Sequence, residues 1–225
     1  MDAMILAAGR GKRLRPITDH TPKPLVQVGS RRLIEHHLIR LASAGFQRVV
    51  INTSHLADQI EQTIGNGGKY GIETTFCHEP EALETAGGIV NALPYLRSES
   101  FLVINGDIYS DFPCQPQTLS SGCTMHLVLV QNPAHNPKGD FALHHSRVTS
   151  LTAKDTGFTF SGIGYYHRSV FEALSPGRSP LAPIIRSAIS LGQVSGAVYR
   201  GIWIDVGTQD RLSQARKIAN HNQRA

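Results

Sequence analysis

The feature that most constrains the fold of this chain is the alternation of short apolar runs with longer segments of helical period. In the first half, the apolar runs are bounded by Gly, Pro and Asn, which is typical of strands. Predicted strands cover residues 3–8, 48–53, 71–77 and 101–104, and predicted helices cover residues 33–44, 56–64 and 86–96. Because repeated strand-helix units build a sheet covered by helices, we expect an α/β fold.

The second half departs from this strict alternation. Strands are predicted over residues 124–131, 139–145 and 158–167, and helices near 180–191 and 208–221. This half therefore reads as a mixed α+β extension of the same sheet. A chain of 225 residues, 40% of them hydrophobic, can bury one substantial core and is short for two independent domains. Since no linker or repeat is evident, we expect residues 1–225 to form a single domain.

A small anionic ligand explains the positive charge of the chain as well as a macromolecular partner would. The formal net charge is +5, yet the Lys and Arg residues form no run that would suggest a nucleic-acid or membrane surface. The three cysteines show no metal-ligand or disulfide spacing, which fits a reducing compartment. The N-terminus lacks the basic start and long apolar core of a signal peptide. We therefore expect a cytoplasmic protein with no nucleic-acid or membrane partner.

The first predicted strand ends in a loop suited to phosphate binding. Leu6-Ala7-Ala8 turns into Gly9-Arg10-Gly11-Lys12-Arg13, so small residues follow the carboxyl end of a strand, where open α/β sheets bind ligands. Small side chains let backbone N–H groups approach phosphate oxygens closely. Farther on, Lys23 stands between two prolines that stiffen its backbone. The loop completes neither GxGxxG nor GxxxxGK[ST], so it matches neither standard dinucleotide nor P-loop binding.

Two aspartates follow apolar strands and are candidate metal ligands. Asp107 comes after an apolar strand and a glycine, and Asp205 is flanked by apolar residues just ahead of a helix whose N-cap is predicted to be Thr208. Mg²⁺ prefers oxygen ligands and takes one or two protein carboxylates together with phosphates and water. On these residues alone, each aspartate fits a turn or a cap equally well.

The N-terminal loop resembles that of a known family, the sugar-1-phosphate nucleotidyltransferases. The signature of that family is LAAGxGxRLxPxTxxxPKPL, and residues 6–25 match every fixed position. The resemblance implies a Rossmann-like mixed sheet flanked by helices, with UTP or another nucleoside triphosphate and a sugar-1-phosphate as ligands. It also implies a Mg²⁺ ion held by Asp107 and Asp205, and Arg13 and Lys23 as catalytic cations. The nucleotide-binding residues implied near the phosphates are Ala8, Gly9, Gly11, Lys12, Arg13, Lys23 and Asn105.

A second segment, residues 79–88, is similar to the base-recognition loop of the family. The resemblance assigns Glu79, Thr85 and Gly88 to nucleotide binding, and Thr85 is also a predicted helix cap. Glu79 stands where many members have glutamine, and Glu84 where many have glycine. A carboxylate can only accept hydrogen bonds, so Glu79 suits the N3–H of uracil or thymine and equally the N1–H of guanine.

The sugar site is the least defined part of the comparison. Gly139 and Asp140 follow a polar loop, and the family places a comparable glycine-containing segment beside the hexose, whose hydroxyls need acceptors such as Asp140. A strand interrupted by Gly162 belongs to the same pattern. The acid and lysine that the family carries later are not clearly matched, although Lys154 and Asp155 lie nearby.

Within the family, the chain is most similar to its short uridylyltransferase members of the peptidoglycan recycling route. This similarity rests on residues 82–89, 160–163 and 203–208, and it implies UTP and N-acetylmuramic acid 1-phosphate as substrates. Two alternatives stay open. One is another small transferase, using mannose- or heptose-1-phosphate with GTP or glucose-1-phosphate with dTTP. The other is a sensor that binds nucleotide-sugars without catalysis.

Overall fold

A nine-stranded mixed sheet forms the centre of the computed structural model, which describes residues 1–153 and 155–222. Its strand order is β5-β4-β1-β6-β11-β8-β12-β10-β9, and two short two-stranded sheets, β13-β7 and β2-β3, accompany it. The strands are β1 (Asp2–Leu6), β2 (Gln27–Val28), β3 (Arg31–Arg32), β4 (Arg48–Thr53), β5 (Glu73–His78), β6 (Ser100–Asn105), β7 (Ile108–Ser110), β8 (Met125–Val130), β9 (Ala142–His144), β10 (Arg147–Thr149), β11 (Thr159–His167), β12 (Val194–Tyr199) and β13 (Trp203–Asp205).

Helices cover both faces of the large sheet. They are α1 (Ile17–His20), α2 (Leu33–Ser43), α3 (Ala57–Ile64), α4 (Glu84–Ala92), α5 (Ser169–Glu172), α6 (Leu181–Ser190) and α7 (Gln209–Asn222). Alternate residues of β1 point to opposite faces, so Ile5 joins the core under α2 and α3 while Met4 joins the core under α4, α5 and α6. The Rossmann-like mixed sheet flanked by helices is therefore confirmed.

The parallel part of the sheet brings three strand ends together. β4, β1 and β6 run parallel, and Leu6 is in register with Asn52 on one side and with Asn105 on the other. The carboxyl ends of these strands consequently form one edge. Ligands of open α/β sheets bind at such an edge, because the loops that follow the strands diverge there.

A third, smaller core joins the end of the chain to this edge. Leu212 and Ala215 of α7 pack with Tyr109 of β7 and Ile204 of β13. Asp205 pairs with Ile108 across the β13-β7 ladder. The backbone N–H of Val206 donates to the carbonyl of Asp107 at 2.9 Å. This short sheet therefore sets residues 107 and 205 side by side although 98 positions separate them in sequence.

The predicted elements of the first half are confirmed within a few residues, whereas the second half contains more strands than the sequence pattern predicts. The additional strands are β7, β10, β12 and β13, and three of them have three residues each, which is too short for a period to show. Strand β9 is only part of the predicted segment 139–145.

The two predicted helix caps have different outcomes. The prediction for Thr85 is wrong, because α4 begins at Glu84 and no side chain caps it. The N–H groups of Ala86 and Gly87 donate instead to the carbonyl of Ser179, at 3.0 and 3.1 Å, so another loop supplies the cap. Thr208 does cap α7, since its Oγ1 accepts from the N–H of Arg211 at 3.4 Å.

Within the described residues, no helix combines the length and the apolar composition that a membrane crossing requires.

Candidate active site

A cavity of about 350 Å³ opens at the carboxyl edge of β1, β4 and β6. It is lined by the predicted residues Ala8, Gly9, Gly11, Lys12, Arg13, Lys23, Glu79, Thr85, Asn105 and Asp107, and also by Leu6, Ala7, Pro24, Asn52, Ala82, Glu84, Gly106 and Gly207. The structure thus unites residues from the N-terminal loop, the segment 79–88 and the end of β6. Gly88, Gly139, Asp140 and Asp205 do not line this cavity.

The N-terminal loop is held in shape by bonds to Gly11. The carbonyl of Gly11 accepts hydrogen bonds from the N–H of Leu14 and from Oγ1 of Thr18, both at 2.8 Å. Gly11 has a φ of +62°, and a Cβ there would lie 2.8 Å from the Thr18 methyl carbon. Gly9 differs, because no atom lies within 4 Å of the position that its Cβ would take. The fold therefore requires a glycine at position 11, whereas position 9 is open space facing the cavity.

Lys23 carries its charge into the cavity from a nearly buried position. The residue is 8% exposed, and its Nζ lies 2.5 Å from Oδ2 of Asp107. The N–H of Leu25 bonds to the carbonyl of Pro22 at 2.8 Å, which closes a tight turn around the lysine. An ammonium held in this way stays aimed at the strand edge. Lys12 and Arg13, by contrast, lie nearer to solvent at the mouth of the loop.

Asp205 sits beside the cavity with one oxygen paired and one free. Its Oδ2 lies 3.0 Å from Nη1 of Arg211 and 3.8 Å from Nε2 of His135. Its Oδ1 is buried and has no hydrogen-bond partner among the residues that the structure describes. Gly207, two positions later, lines the cavity, so Asp205 lies close to the edge of the cavity.

The free oxygen of Asp205 and the neighbouring Asp107 fit a divalent cation. A buried carboxylate oxygen without a donor is costly, and a cation removes that cost. Groups of three or more His, Cys, Asp or Glu side chains that could hold a metal are absent from residues 1–153 and 155–222. Mg²⁺ needs few protein ligands and completes its shell with phosphate oxygens and water.

Glu79 lines the cavity but is itself buried, with 1% of its surface exposed. Its Oε1 accepts from Nδ2 of Asn52 at 2.6 Å, and its Oε2 accepts from the N–H of Leu83 at 3.0 Å. Asn52 in turn accepts from the N–H of Ala7 at 2.7 Å. Glu79 therefore cannot be a solvated surface acid.

The other predicted residues of the base loop have different placements. Gly88 is buried behind the cavity, where a Cβ would lie 2.7 Å from Oε1 of Glu79 and 2.9 Å from Nδ2 of Asn52. Glu84 is exposed, has a φ of +61° and pairs with Arg178 at 2.7 Å. This conformation explains why a glycine is common at position 84 in the family that the chain resembles.

The predicted sugar residues lie in the loops after β8, away from the cavity. Asp140 accepts from Nδ2 of Asn136 at 3.0 Å and from the N–H of Phe160 at 2.8 Å, so its carboxylate holds the loop together. Gly139 precedes it in that loop. Lys154 lies outside the described residues. The loop contacts α7 through His135, whose ring nitrogens lie 2.9 and 3.1 Å from Nη1 of Arg211, the partner of Asp205.

The two buried cysteines are unsuited to covalent chemistry. Burial, together with the Glu79 carboxylate, raises the pKa of the Cys77 thiol to about 11. Burial likewise raises the pKa of Cys114 to about 11. Both therefore stay protonated near neutral pH, and a thiolate nucleophile is not available at either position.

Among the residues at or near the cavity that the sequence does not predict for the site, Asn52, Gly207 and Arg211 bear most on its geometry. Asn52 is the penultimate residue of β4 and Asn105 the last residue of β6, and both are in register with Leu6, so a polar residue near the end of a buried strand could have identified it. Gly207 stands two positions after Asp205, in a segment already singled out for its acid. Arg211 faces Asp205 from the first turn of α7, and a charge on a helix carries no comparable signal in the sequence.

Comparison with known proteins gives the family of the chain. The family model described as nucleotidyl transferase matches residues 2–222. N-acetylmuramate alpha-1-phosphate uridylyltransferase of Neisseria meningitidis serogroup B is 47% identical over 227 residues, which cover 97% of this chain and 98% of the relative. The Drosophila melanogaster mannose-1-phosphate guanylyltransferase catalytic subunit beta is 42% identical over 114 residues, covering 49% of this chain and 31% of that protein.

A solved Bacillus anthracis structure containing sucrose shares the fold, with a TM-score of 0.84 at 22% identity, and the match covers 98% of this chain and 95% of that one. The family match and the full-length relative lead to one conclusion: the chain belongs to the nucleotidyl transferase family.

Proposed function

We propose that this protein transfers the uridylyl group of UTP to N-acetylmuramic acid 1-phosphate, giving UDP-N-acetylmuramic acid and pyrophosphate. The observation that carries the proposal is the 47% identity to the Neisseria uridylyltransferase across 97% of the chain. The cavity supports it, because it is lined by three cations and by Asp107, and Asp205 lies beside it.

The triphosphate lies along the N-terminal loop in this proposal. Backbone N–H groups from Ala8 to Arg13 face its oxygens, and the open space at Gly9 lets a phosphate come close to the chain. Arg13 and Lys23 supply positive charge where negative charge builds up during transfer. Lys23 is already held in the cavity by its turn, so little rotamer freedom is lost on binding.

Asp107 and Asp205 would hold a Mg²⁺ ion. When bound, the ion would neutralise phosphate charge and help to orient the reacting groups. The two carboxylates pair with Lys23 and Arg211 in the free protein, and these ion pairs hold both aspartates in place.

The transfer itself needs no general base. The second pKa of a sugar-1-phosphate is near 6, so its phosphate is mostly dianionic at neutral pH. One of its oxygens attacks the α-phosphorus of UTP, and a new O–P bond forms. The bond between the α-phosphorus and the oxygen bridging to the β-phosphorus breaks, and pyrophosphate leaves with that electron pair.

The base and the sugar occupy opposite ends of the site. Glu79 and Thr85 line the base end, with Gly88 behind them, and Asn105 lies between base and phosphates. The sugar extends toward the loop of Gly139 and Asp140, which His135 and Arg211 join to Asp205. We propose that residues 1–225 form one domain. We also propose that it acts in peptidoglycan recycling in the cytoplasm, where UTP is available.

A coupled pyrophosphate-release assay tests this function. Purified protein is supplied with MgCl₂, each of UTP, dTTP, GTP and CTP, and a panel of sugar-1-phosphates. We expect turnover with UTP and N-acetylmuramic acid 1-phosphate to exceed every other pair, and EDTA to stop it.

Three results would redirect the proposal. Preferred turnover of GTP with mannose-1-phosphate would assign the guanylyl reaction that the Drosophila relative is named for. No turnover with UTP would end the uridylyl assignment. Tight binding of a nucleotide-sugar without any turnover would indicate a sensor.

A further inference from the structure

A continuous line of hydrogen bonds joins the loop after β1, residues 7–13, to the segment 79–88. In the proposed function these segments bind the phosphates and the base, and they are called the phosphate loop and the base loop below. The N–H of Ala7 donates to Oδ1 of Asn52 at 2.7 Å, and Nδ2 of Asn52 donates to Oε1 of Glu79 at 2.6 Å. Oε2 of Glu79 then accepts from the N–H of Leu83 at 3.0 Å. Asn52 is 3% exposed and Glu79 is 1% exposed, so water does not compete for these bonds.

The groups at the two ends of this line fix which groups along it donate and which accept hydrogen bonds. Ala7 and Leu83 both contribute a backbone N–H, which can only donate. A chain with donors at both ends must contain one group that accepts on both sides. Asn52 accepts on one side and donates on the other, so the carboxylate of Glu79 is the group that accepts twice.

We infer that Asn52 and Glu79 act as one positioning pair, which fixes the phosphate loop relative to the base loop and restricts the base to one with a ring N–H. The restriction on the base rests on the proposed function, in which UTP is the substrate. Glu79 lines the cavity, and its remaining lone pairs can accept the N3–H of uracil. Cytosine presents an acceptor at N3, which a carboxylate repels.

The space around the side chains of Asn52 and Glu79 is limited by Gly88. Gly88 lies against both side chains, and a methyl group there would come within 2.7 Å of Glu79 and 2.9 Å of Asn52. Because Gly88 has no side chain, it leaves room for the side chains of Asn52 and Glu79.

Two single substitutions that hardly change the shape of the side chain disrupt this match of donors and acceptors. Asn52→Asp places a second carboxylate against Glu79, so two acceptors face each other. Glu79→Gln brings an NH₂ group against either the NH₂ of Asn52 or the N–H of Leu83. Because an unmatched buried polar group is costly, we expect each variant to raise KM for UTP by about tenfold or more, with a smaller change in kcat.

The double variant Asn52→Asp with Glu79→Gln restores the match. The carboxylate introduced at position 52 would then accept from the N–H of Ala7 and from the amide introduced at position 79, whose oxygen accepts from the N–H of Leu83. We expect the double variant to recover most of the loss in KM and in thermal stability. Its new amide also offers a free N–H toward the base, so we expect the preference for UTP over CTP to fall by about tenfold or more.

The experiment measures KM and kcat for UTP and CTP, and thermal unfolding, for the wild type, both single variants and the double variant. Glu73→Gln, at an exposed site on β5, the strand that leads to Glu79, is the matched control and should leave all values unchanged. A double variant no better than the worse single variant would overturn the pairing. An unchanged ratio of UTP to CTP in the double variant would overturn the restriction on the base.

The unfolding data separate this inference from the proposed function. Coupling between positions 52 and 79 appears in thermal stability even if the wild type uses a triphosphate other than UTP. Failure of UTP turnover with intact coupling would therefore overturn the proposed function while leaving the positioning pair in place, and preferred turnover of CTP would overturn the restriction on the base.

Discussion

Lys23 and Asp107 form an ion pair of 2.5 Å that joins the N-terminal loop to the end of β6. The lysine side chain is 9% exposed and the aspartate side chain 32% exposed, so the pair is largely shielded from solvent. Each residue holds the other at the edge where the strands end. The same two groups thus organise the free protein and supply charge to the proposed reaction.

Replacing Asp107 by Ala should remove activity without unfolding the protein. The substitution deletes one proposed metal ligand and leaves the ammonium of Lys23 without its partner. We expect kcat/KM to fall at least ~100-fold and stability to fall by about 1–3 kcal/mol, measured by pyrophosphate release and urea unfolding. Asp58→Ala, at an exposed site on α3, is the control. Full activity in the Asp107 variant would refute the metal assignment.

The two glycines of the phosphate loop should respond differently to alanine. Gly9→Ala meets no atom of the protein within 4 Å, so stability should stay within about 0.5 kcal/mol of the wild type. The added methyl group would occupy space proposed for a phosphate, so KM for UTP should rise. Gly11→Ala places an alanine at a φ of +62° against Thr18, which should cost about 2 kcal/mol.

Thermal unfolding and UTP titration of both variants measure the difference. If Gly9→Ala bound UTP as tightly as the wild type, the phosphate would not lie against position 9.

Asp2 should make stability depend on acid pH. Burial alone would raise the pKa of its carboxyl, but hydrogen bonds from Arg48 and from the N–H groups of Arg97 and Ser98 outweigh burial and hold that pKa below 3.8. The stabilisation is therefore fully present above the unfolded pKa of about 3.9 and is lost as pH falls through the lower, folded value.

Asp2→Asn tests this dependence, because the amide can accept through one oxygen only. We expect it to cost about 1–3 kcal/mol at pH 7, and the difference from the wild type to shrink at pH 3. Urea unfolding at both pH values gives the two differences. A difference that stayed constant between them would show that the Asp2 charge does not stabilise the fold.

The sequence predicts that the residues after β1 lie together, because they are neighbours in the chain. Gly9, Gly11, Lys12 and Arg13 belong to one loop after β1, and they line the cavity together. The same reasoning identifies Asp107, since it follows the buried strand β6.

The rest of the site depends on contacts that no local pattern reveals. Asn52 meets Glu79 only because β4 lies beside β5, the strand that Glu79 follows, and Arg211 meets Asp205 only because α7 packs against β13. The prediction of Thr85 as the cap of α4 is wrong because the carbonyl of Ser179, 94 positions later, takes that role. Partners of this kind are fixed by tertiary packing.

Glu84 should be held in a strained backbone conformation that glycine would relieve. Its φ of +61° is uncommon for a residue with a Cβ, and its carboxylate pairs with the exposed Arg178. Glu84→Ala and Glu84→Gly both delete that pair, yet only glycine adopts this φ without steric cost. We therefore expect the glycine variant to be more stable than the alanine variant by about 1 kcal/mol, although alanine is the better helix former at ordinary helical angles. Thermal and urea unfolding of the two variants compare them directly, and an alanine variant as stable as the glycine variant would show that position 84 does not hold a positive φ in solution.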